Sequence, residues 1–222
     1  MLIVIIAVAS NGSKKNNAAS GTSATSTTLA SGTATTAVPK TTAPPPPAAR
    51  QVQGTQVTLG AGTFAGGKDV AVGLYDVTTA PGQSGNFVVS GTDTYDEILG
   101  SDGEGEGVPM VRAKISNGDQ IQISGLSTAV FTPVTTPLVT SHAPVTLYAG
   151  TWIVGQDIGA GRYVATPGQG QSGNFIVSGN DSYDEILGGD ASDGGVPSVT
   201  VNLTNGDVIA ISSLSQVTMT PQ

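Results

Sequence analysis

Carboxylates are the chemically capable side chains that this sequence concentrates. They fall at Asp93, Asp96, Glu97, Asp102, Glu104 and Glu106, and again at Asp181, Asp184, Glu185, Asp190 and Asp193, with glycines between them. Oxygen-rich loops spaced by glycine are what a hard cation such as Ca²⁺ requires. Asp93, Asp96, Glu97, Asp102, Asp181, Asp184, Glu185 and Asp190 therefore stand as candidate calcium ligands. Their spacing matches no EF-hand loop, and Glu104 and Glu106 have Ser192 and Gly194 as counterparts in the second cluster. Solvated acidic loops are the plainer expectation, and no cofactor is expected. Paired carboxyls also serve glycoside hydrolysis, where one is raised and one ordinary across a sugar. Nothing in the pattern supplies an enclosing cleft. The single histidine, His142, is expected as an exposed connector residue, so no His-based nucleophilic constellation exists. The expectation is a chain that is not an enzyme.

Sugar stacking is the other chemistry on offer. Trp152, Tyr163, Phe175 and Tyr183 are matched earlier by Phe64, Tyr75, Phe87 and Tyr95. Outward-facing rings among them would form a platform for glycans, and Tyr148, Tyr183 and Tyr95 are the candidate ligand-binding residues. With so few aromatics, each folded unit needs most of them in its core. Asp119 and Asp207 directly follow Asn-Gly pairs, where turn propensity alone explains them.

These residues ride on a distinctive composition. Glycine is 31, proline 13, charged residues 11% and aromatics 5% of 222 residues, which argues against one large helical or α/β core. The absence of cysteine excludes disulfides, thiolate metal sites and a cysteine nucleophile from this sequence. All sixteen acidic residues lie after position 56, where only Lys68, Arg112, Lys114 and Arg162 oppose them. Such a surface repels phosphate backbones, so nucleic acid is not an expected partner.

The elements that position these side chains come from an internal repeat. Val57–Pro133 aligns without a gap with Val145–Pro221, each residue 88 positions from its counterpart. Ser84-Gly85-Asn86-Phe87 returns as Ser172-Gly173-Asn174-Phe175, and Tyr95-Asp96-Glu97-Ile98-Leu99-Gly100 returns as Tyr183-Asp184-Glu185-Ile186-Leu187-Gly188. Within a copy the apolar period is two: Val199, Val201 and Leu203 alternate with polar residues. Asn205-Gly206 then reads as a tight hairpin turn, and Val208–Ile211 runs back. Six or seven short strands per copy follow, giving an all-β fold of two tandem small β-sandwich or barrel-like modules. The domain boundaries are 57–133 for module 1, 134–144 for a linker holding Pro137 and Pro144, and 145–222 for module 2. Packed modules and beads on a string fit the sequence equally, and the oligomeric state is open.

Ahead of the modules lie two other segments. Residues 18–56 are rich in Ser, Thr, Ala and Pro, and cannot bury enough apolar surface to offset ordering, so a disordered stalk is expected. Residues 1–17 begin with the apolar run Met1–Ala9, which as a helix would cover about 12 Å of a roughly 30 Å bilayer core. It reads as the remnant of an export signal or membrane anchor, the only expected membrane contact.

Gly150-Thr151-Trp152-Ile153-Val154-Gly155-Gln156-Asp157-Ile158-Gly159-Ala160-Gly161-Arg162-Tyr163 resembles the G-T-Y-x-V-G-x-D-I-x-A-G-x-Y motif of many exported or membrane-anchored proteins of Gram-positive bacteria, mostly hypothetical proteins and lipoproteins. Trp152 replaces the usual Tyr, and the first copy, Gly62 to Tyr75, departs further. The resemblance implies an extracellular β-module and supports no catalytic assignment. The motif itself reads as strand, turn, strand, with Asp157 closing an Asx-turn. The resulting expectation is an extracellular or cell-envelope protein that displays two modules for a structural or binding role. Wall polymer or glycan would be the partner, and duplication would raise avidity. A calcium-dependent binding module, or a small hydrolase, is the alternative.

Overall fold

The computed structural model describes residue 50 and residues 53–100, 107–189 and 194–222. Residues 1–49, the export remnant and most of the stalk, lie outside the described residues, as do Asp102, Glu104, Glu106, Asp190 and Asp193.

The described chain is all-β. Module 1 holds β1 (Val57–Leu59), β2 (Gly62–Ala65), β3 (Gly73–Thr79), β4 (Ser84–Ser90), β5 (Tyr95–Gly100), β6 (Val111–Ile115), β7 (Gln120–Ser124) and β8 (Ala129–Pro133). Module 2 repeats them as β9 (Val145–Leu147), β10 (Ala149–Ile153), β11 (Gly161–Pro167), β12 (Ser172–Ser178), β13 (Tyr183–Gly188), β14 (Val199–Leu203), β15 (Val208–Ser212) and β16 (Val217–Pro221). Each copy thus forms eight strands where the sequence reading expected six or seven. The extra one arises at Tyr148, which separates β9 from β10 as the chain passes from one sheet to another.

Each module is a sandwich. In module 1, β1-β8-β3-β6 faces β2-β7-β4-β5; in module 2, β9-β16-β11-β14 faces β10-β15-β12-β13. Period-two patterning drives this: β12 alternates exposed and buried along its whole length, turning Phe175 and Val177 inward. Phe131 on β8 joins the two layers of module 1. Its ring meets Tyr75 edge-on at 6.0 Å and Phe87 of the facing sheet at 5.8 Å.

The Asn-Gly turns differ from expectation. β14 pairs with β11, while β15 pairs with β10 and β12, so the turn at Asn205-Gly206 is not a hairpin. It carries the chain from one layer to the other, as Asn117-Gly118 does between β6 and β7. Gly206 adopts φ +94° and the Asp207 amide donates to the Thr204 carbonyl at 3.0 Å, so the tight turn exists although its strands do not pair. The true hairpins are β4–β5 and β12–β13.

The modules are not beads on a string. β6 pairs in parallel with β10, Val111 opposite Ala149 and Arg112 opposite Gly150, fusing one layer of each sandwich into an eight-stranded sheet. A side chain at Gly150 (φ +113°) would place its Cβ 2.1 Å from the Arg112 carbonyl oxygen, so this approach requires glycine. The two cores stay separate but trade residues at the boundary: Ala149 packs with module 1, and Met110 packs with module 2. The connector is packed too. Val134 is buried, the Val139 amide donates to Gln156, and His142 stacks edge-on against Tyr163 at 4.6 Å.

Candidate functional site

The junction concentrates the charged chemistry that the folds bury. Arg112 projects from β6, the edge strand of module 1, and is 6% exposed. Its Nε and Nη2 donate to both oxygens of Asp76 on β3, at 2.8 and 3.0 Å, and its Nη1 donates to Asp157 Oδ1 of module 2 at 2.8 Å. The guanidinium lies over the Trp152 ring, 3.9 Å from its centroid. Arg50 adds a second cation, donating to the same Asp157 oxygen at 2.6 Å. Its placement within a disordered stretch is therefore corrected: buried carboxylate chemistry and two backbone carbonyls, of Thr136 and Gln156, hold its guanidinium.

Asp157 is positioned by its turn. Its Oδ2 accepts from the Ile153 amide, four residues back, at 2.8 Å, so it caps the turn backward and not as an Asx-turn. Asp69 in module 1 does the same for Ala65, but it is exposed and meets no arginine. One motif aspartate therefore serves a turn in both copies and an ion-pair cluster only at the junction.

A polar cleft of about 430 Å³ also opens between the modules, bordered by Glu97 of β5 and by Gln171, Ser172, Ser213 and Ser215 of module 2. Glu97 lies on the inward face of edge strand β5, opposite Phe87, and is 5% exposed. Both carboxylate oxygens approach the Ser213 amide, at 3.2 and 3.0 Å. Burial pushes its carboxyl up to about 7; the Ser213 amide pulls the other way, and the charge of Asp96 adds to the rise. Ser213 has φ +60°, the one non-glycine residue in the left-handed region among the described residues, where its counterpart Gly125 has φ +78°. The module 2 counterpart of Glu97, Glu185, is only half-buried, with no second module over it among the described residues.

The remaining candidates among the described residues disperse. Asp93 accepts from the Ser116 hydroxyl at 2.6 Å and faces Lys114 Nζ at 3.4 Å; Asp181 accepts from the Thr204 hydroxyl at 2.9 Å. Asp96 and Asp184 are exposed on the opposite strand face from Glu97 and Glu185. Among the described residues no three acidic or histidine side chains gather to hold a metal ion. Tyr95 is 8% exposed, its hydroxyl accepting from the Lys114 amide and donating to Thr151 Oγ1 across the junction, each at 3.0 Å. Tyr183 is half-buried with its hydroxyl accepting from the Asn202 amide, and half-buried Tyr148 offers its carbonyl to Trp152 Nε1 at 2.8 Å. Trp152, Tyr163, Phe175, Tyr75 and Phe87 are core residues. These rings build no exposed platform.

Asp119 and Asp207 correct the sequence reading, because turn propensity alone does not place them. Both are fully buried. Asp207 accepts from the amides of Asn180 (2.6 Å), Asp181 (3.4 Å) and Thr204 (2.7 Å), stitching the β12–β13 hairpin to the layer-crossing turn; Asp119 does the same from Thr92 and Ser116, both at 2.7 Å. Arg112 was missed for a different reason. Its signal was its divergence between copies: Arg112, Asp76 and Trp152 stand where module 2 and module 1 have Thr200, Val164 and Phe64.

No protein-family model, curated protein or solved structure matches the chain.

Proposed function

We propose that the chain is a non-enzymatic, secreted or surface-tethered protein of a Gram-positive-type envelope that binds wall polymer or another glycan in the polar cleft at its module junction. One observation carries the ligand class. Among the described residues the buried Glu97 carboxyl receives a single protein donor, the Ser213 amide, whereas a carboxylate accepts several hydrogen bonds. The spare capacity opens beside the hydroxyls of Ser172, Ser213 and Ser215, a lining that complements a hydroxyl-rich ligand. Shared sheet and buried ion pairs hold the two walls in place, which lowers the ordering cost of binding. The resemblance of the Gly150–Tyr163 motif supports display outside the membrane.

The test is retention of the full chain on purified wall polymers and a glycan array, with Glu97→Ala beside it. Binding weakened about tenfold by the substitution is expected, the loss of one charge-assisted hydrogen bond. No retention on any polymer would count against the reading. The raised carboxyl favours one rival, a hydrolase with Glu97 as general acid. Release of reducing ends from a bound glycan, abolished by Glu97→Gln, would establish that rival instead.

A further inference from the structure

The module junction is an interface that the chain uses once and carries twice. Module 1 contributes the β6 edge, Tyr95 and Glu97; module 2 contributes the β10 edge, Thr151 and the Ser213 amide. By the repeat, module 2 also carries the first set, as β14, Tyr183 and Glu185, and module 1 carries the second, as β2, Thr63 and the Gly125 amide.

Both leftover faces end their sheets: β14 is the outermost strand of β14-β11-β16-β9, and β2 of β2-β7-β4-β5. Neither strand contains the proline, lysine or other charge with which proteins blunt open edges. Gly62 retains the residue that lets β6 approach Gly150, yet within its own chain a Cβ there would meet only the Phe64 ring, at 3.1 Å. Thr63 and Thr200 are exposed.

We propose that these faces bind each other between chains, the β14 edge of one copy pairing in parallel with β2 of a second copy, so that chains associate head to tail. Such a contact is heterologous and leaves a free face at each end, so it propagates instead of closing at a dimer. It is weaker than the internal junction. Thr200 and Phe64 stand in place of Arg112 and Trp152, so Asp69 receives no guanidinium and the cation–π contact is lost. The net charge of −8 on each copy opposes association further, and salt relieves it.

Sedimentation velocity of the full chain, from micromolar to millimolar protein at about 0.15 M salt, reads the association. Mass that rises with concentration past two copies is expected. Thr200→Arg, at an exposed position, restores a cation opposite Asp69 and Phe64 of the next copy and should lower the association midpoint about tenfold. Thr200→Glu should suppress association. Because the chain has no cysteine, Ala61→Cys with Val199→Cys, the counterparts of the register pair Ala149 and Val111, should give a ladder of disulfide-linked copies under oxidation. A single-copy mass for both wild type and Thr200→Arg overturns the proposal. A mass that plateaus at two copies, or a doubly substituted chain that forms no ladder, overturns it equally.

Discussion

Arg112 Nη1 and Asp157 Oδ1 meet at 2.8 Å across the boundary between two copies of one module, and neither residue is matched by a comparable pair elsewhere in the described repeat. The contact joins a strand edge of module 1 to a turn of module 2, and Trp152 covers it.

Arg112→Thr gives module 1 the side chain of its counterpart and removes one of the two cations from a buried carboxylate. Breaking a buried pair from one side costs about 3 kcal/mol, and Arg50 remains to moderate the effect. The chain's single tryptophan, Trp152, sits under the lost guanidinium, so urea unfolding followed by its fluorescence reports the junction directly. A lower midpoint with an altered native emission is expected; an unchanged midpoint would mean that the cluster does not contribute to stability.

Glu97 sets a pH dependence of opposite sign to that of a carboxylate held by several amide donors. Its folded pKa, about 7, lies above the ordinary value of 4.5, so the folded protein holds a proton that the unfolded chain has released between those values. Its contribution is fully present below 4.5 and is lost as pH rises through about 7. Glu97→Gln should flatten this part of the stability profile and leave the protein at least as stable as wild type at alkaline pH. Thermal melts across that window measure it.

Asp207 acts the other way. Burial alone would raise its pKa, but the amides of Thr204, Asn180 and Asp181 outweigh that and hold it below the ordinary 3.8. Its stabilisation is present above that value and disappears as pH falls through the lower folded one. Asp207→Ala orphans several amides and should cost roughly 3 kcal/mol at neutral pH by chemical denaturation.

Ser213 holds a backbone conformation that its counterpart assigns to glycine. Ser213→Gly removes the Cβ penalty and should raise stability by about 1 kcal/mol, while keeping the amide that meets Glu97. If the cleft binds polymer through the Ser213 hydroxyl, the same variant binds more weakly although it is more stable. A gain in both would remove Ser213 from the binding surface.

The strands were legible because alternation is local: Val199, Val201 and Leu203 announce a half-buried strand whatever pairs with it. The turn at Asn205-Gly206 was legible as a turn and misread as a hairpin, because positive φ at Gly206 suits either a return within one sheet or a crossing between two. Which sheet receives β15 is decided by β10 and β12, far away in sequence. The junction was illegible for the same reason. Glu97 and Glu185 sit in identical six-residue strings, and only the presence of module 2 over the first buries one and not the other. Divergence between copies at Arg112 and Thr200 was the available clue, and it becomes informative once a shared boundary is suspected.

The grip of Arg50 on Asp157 has a mechanical consequence. Chain arriving from ahead of Arg50 is fastened to module 2 before it reaches the first strand of module 1. Tension applied from that side therefore meets the seam where the sandwiches join before it reaches β1.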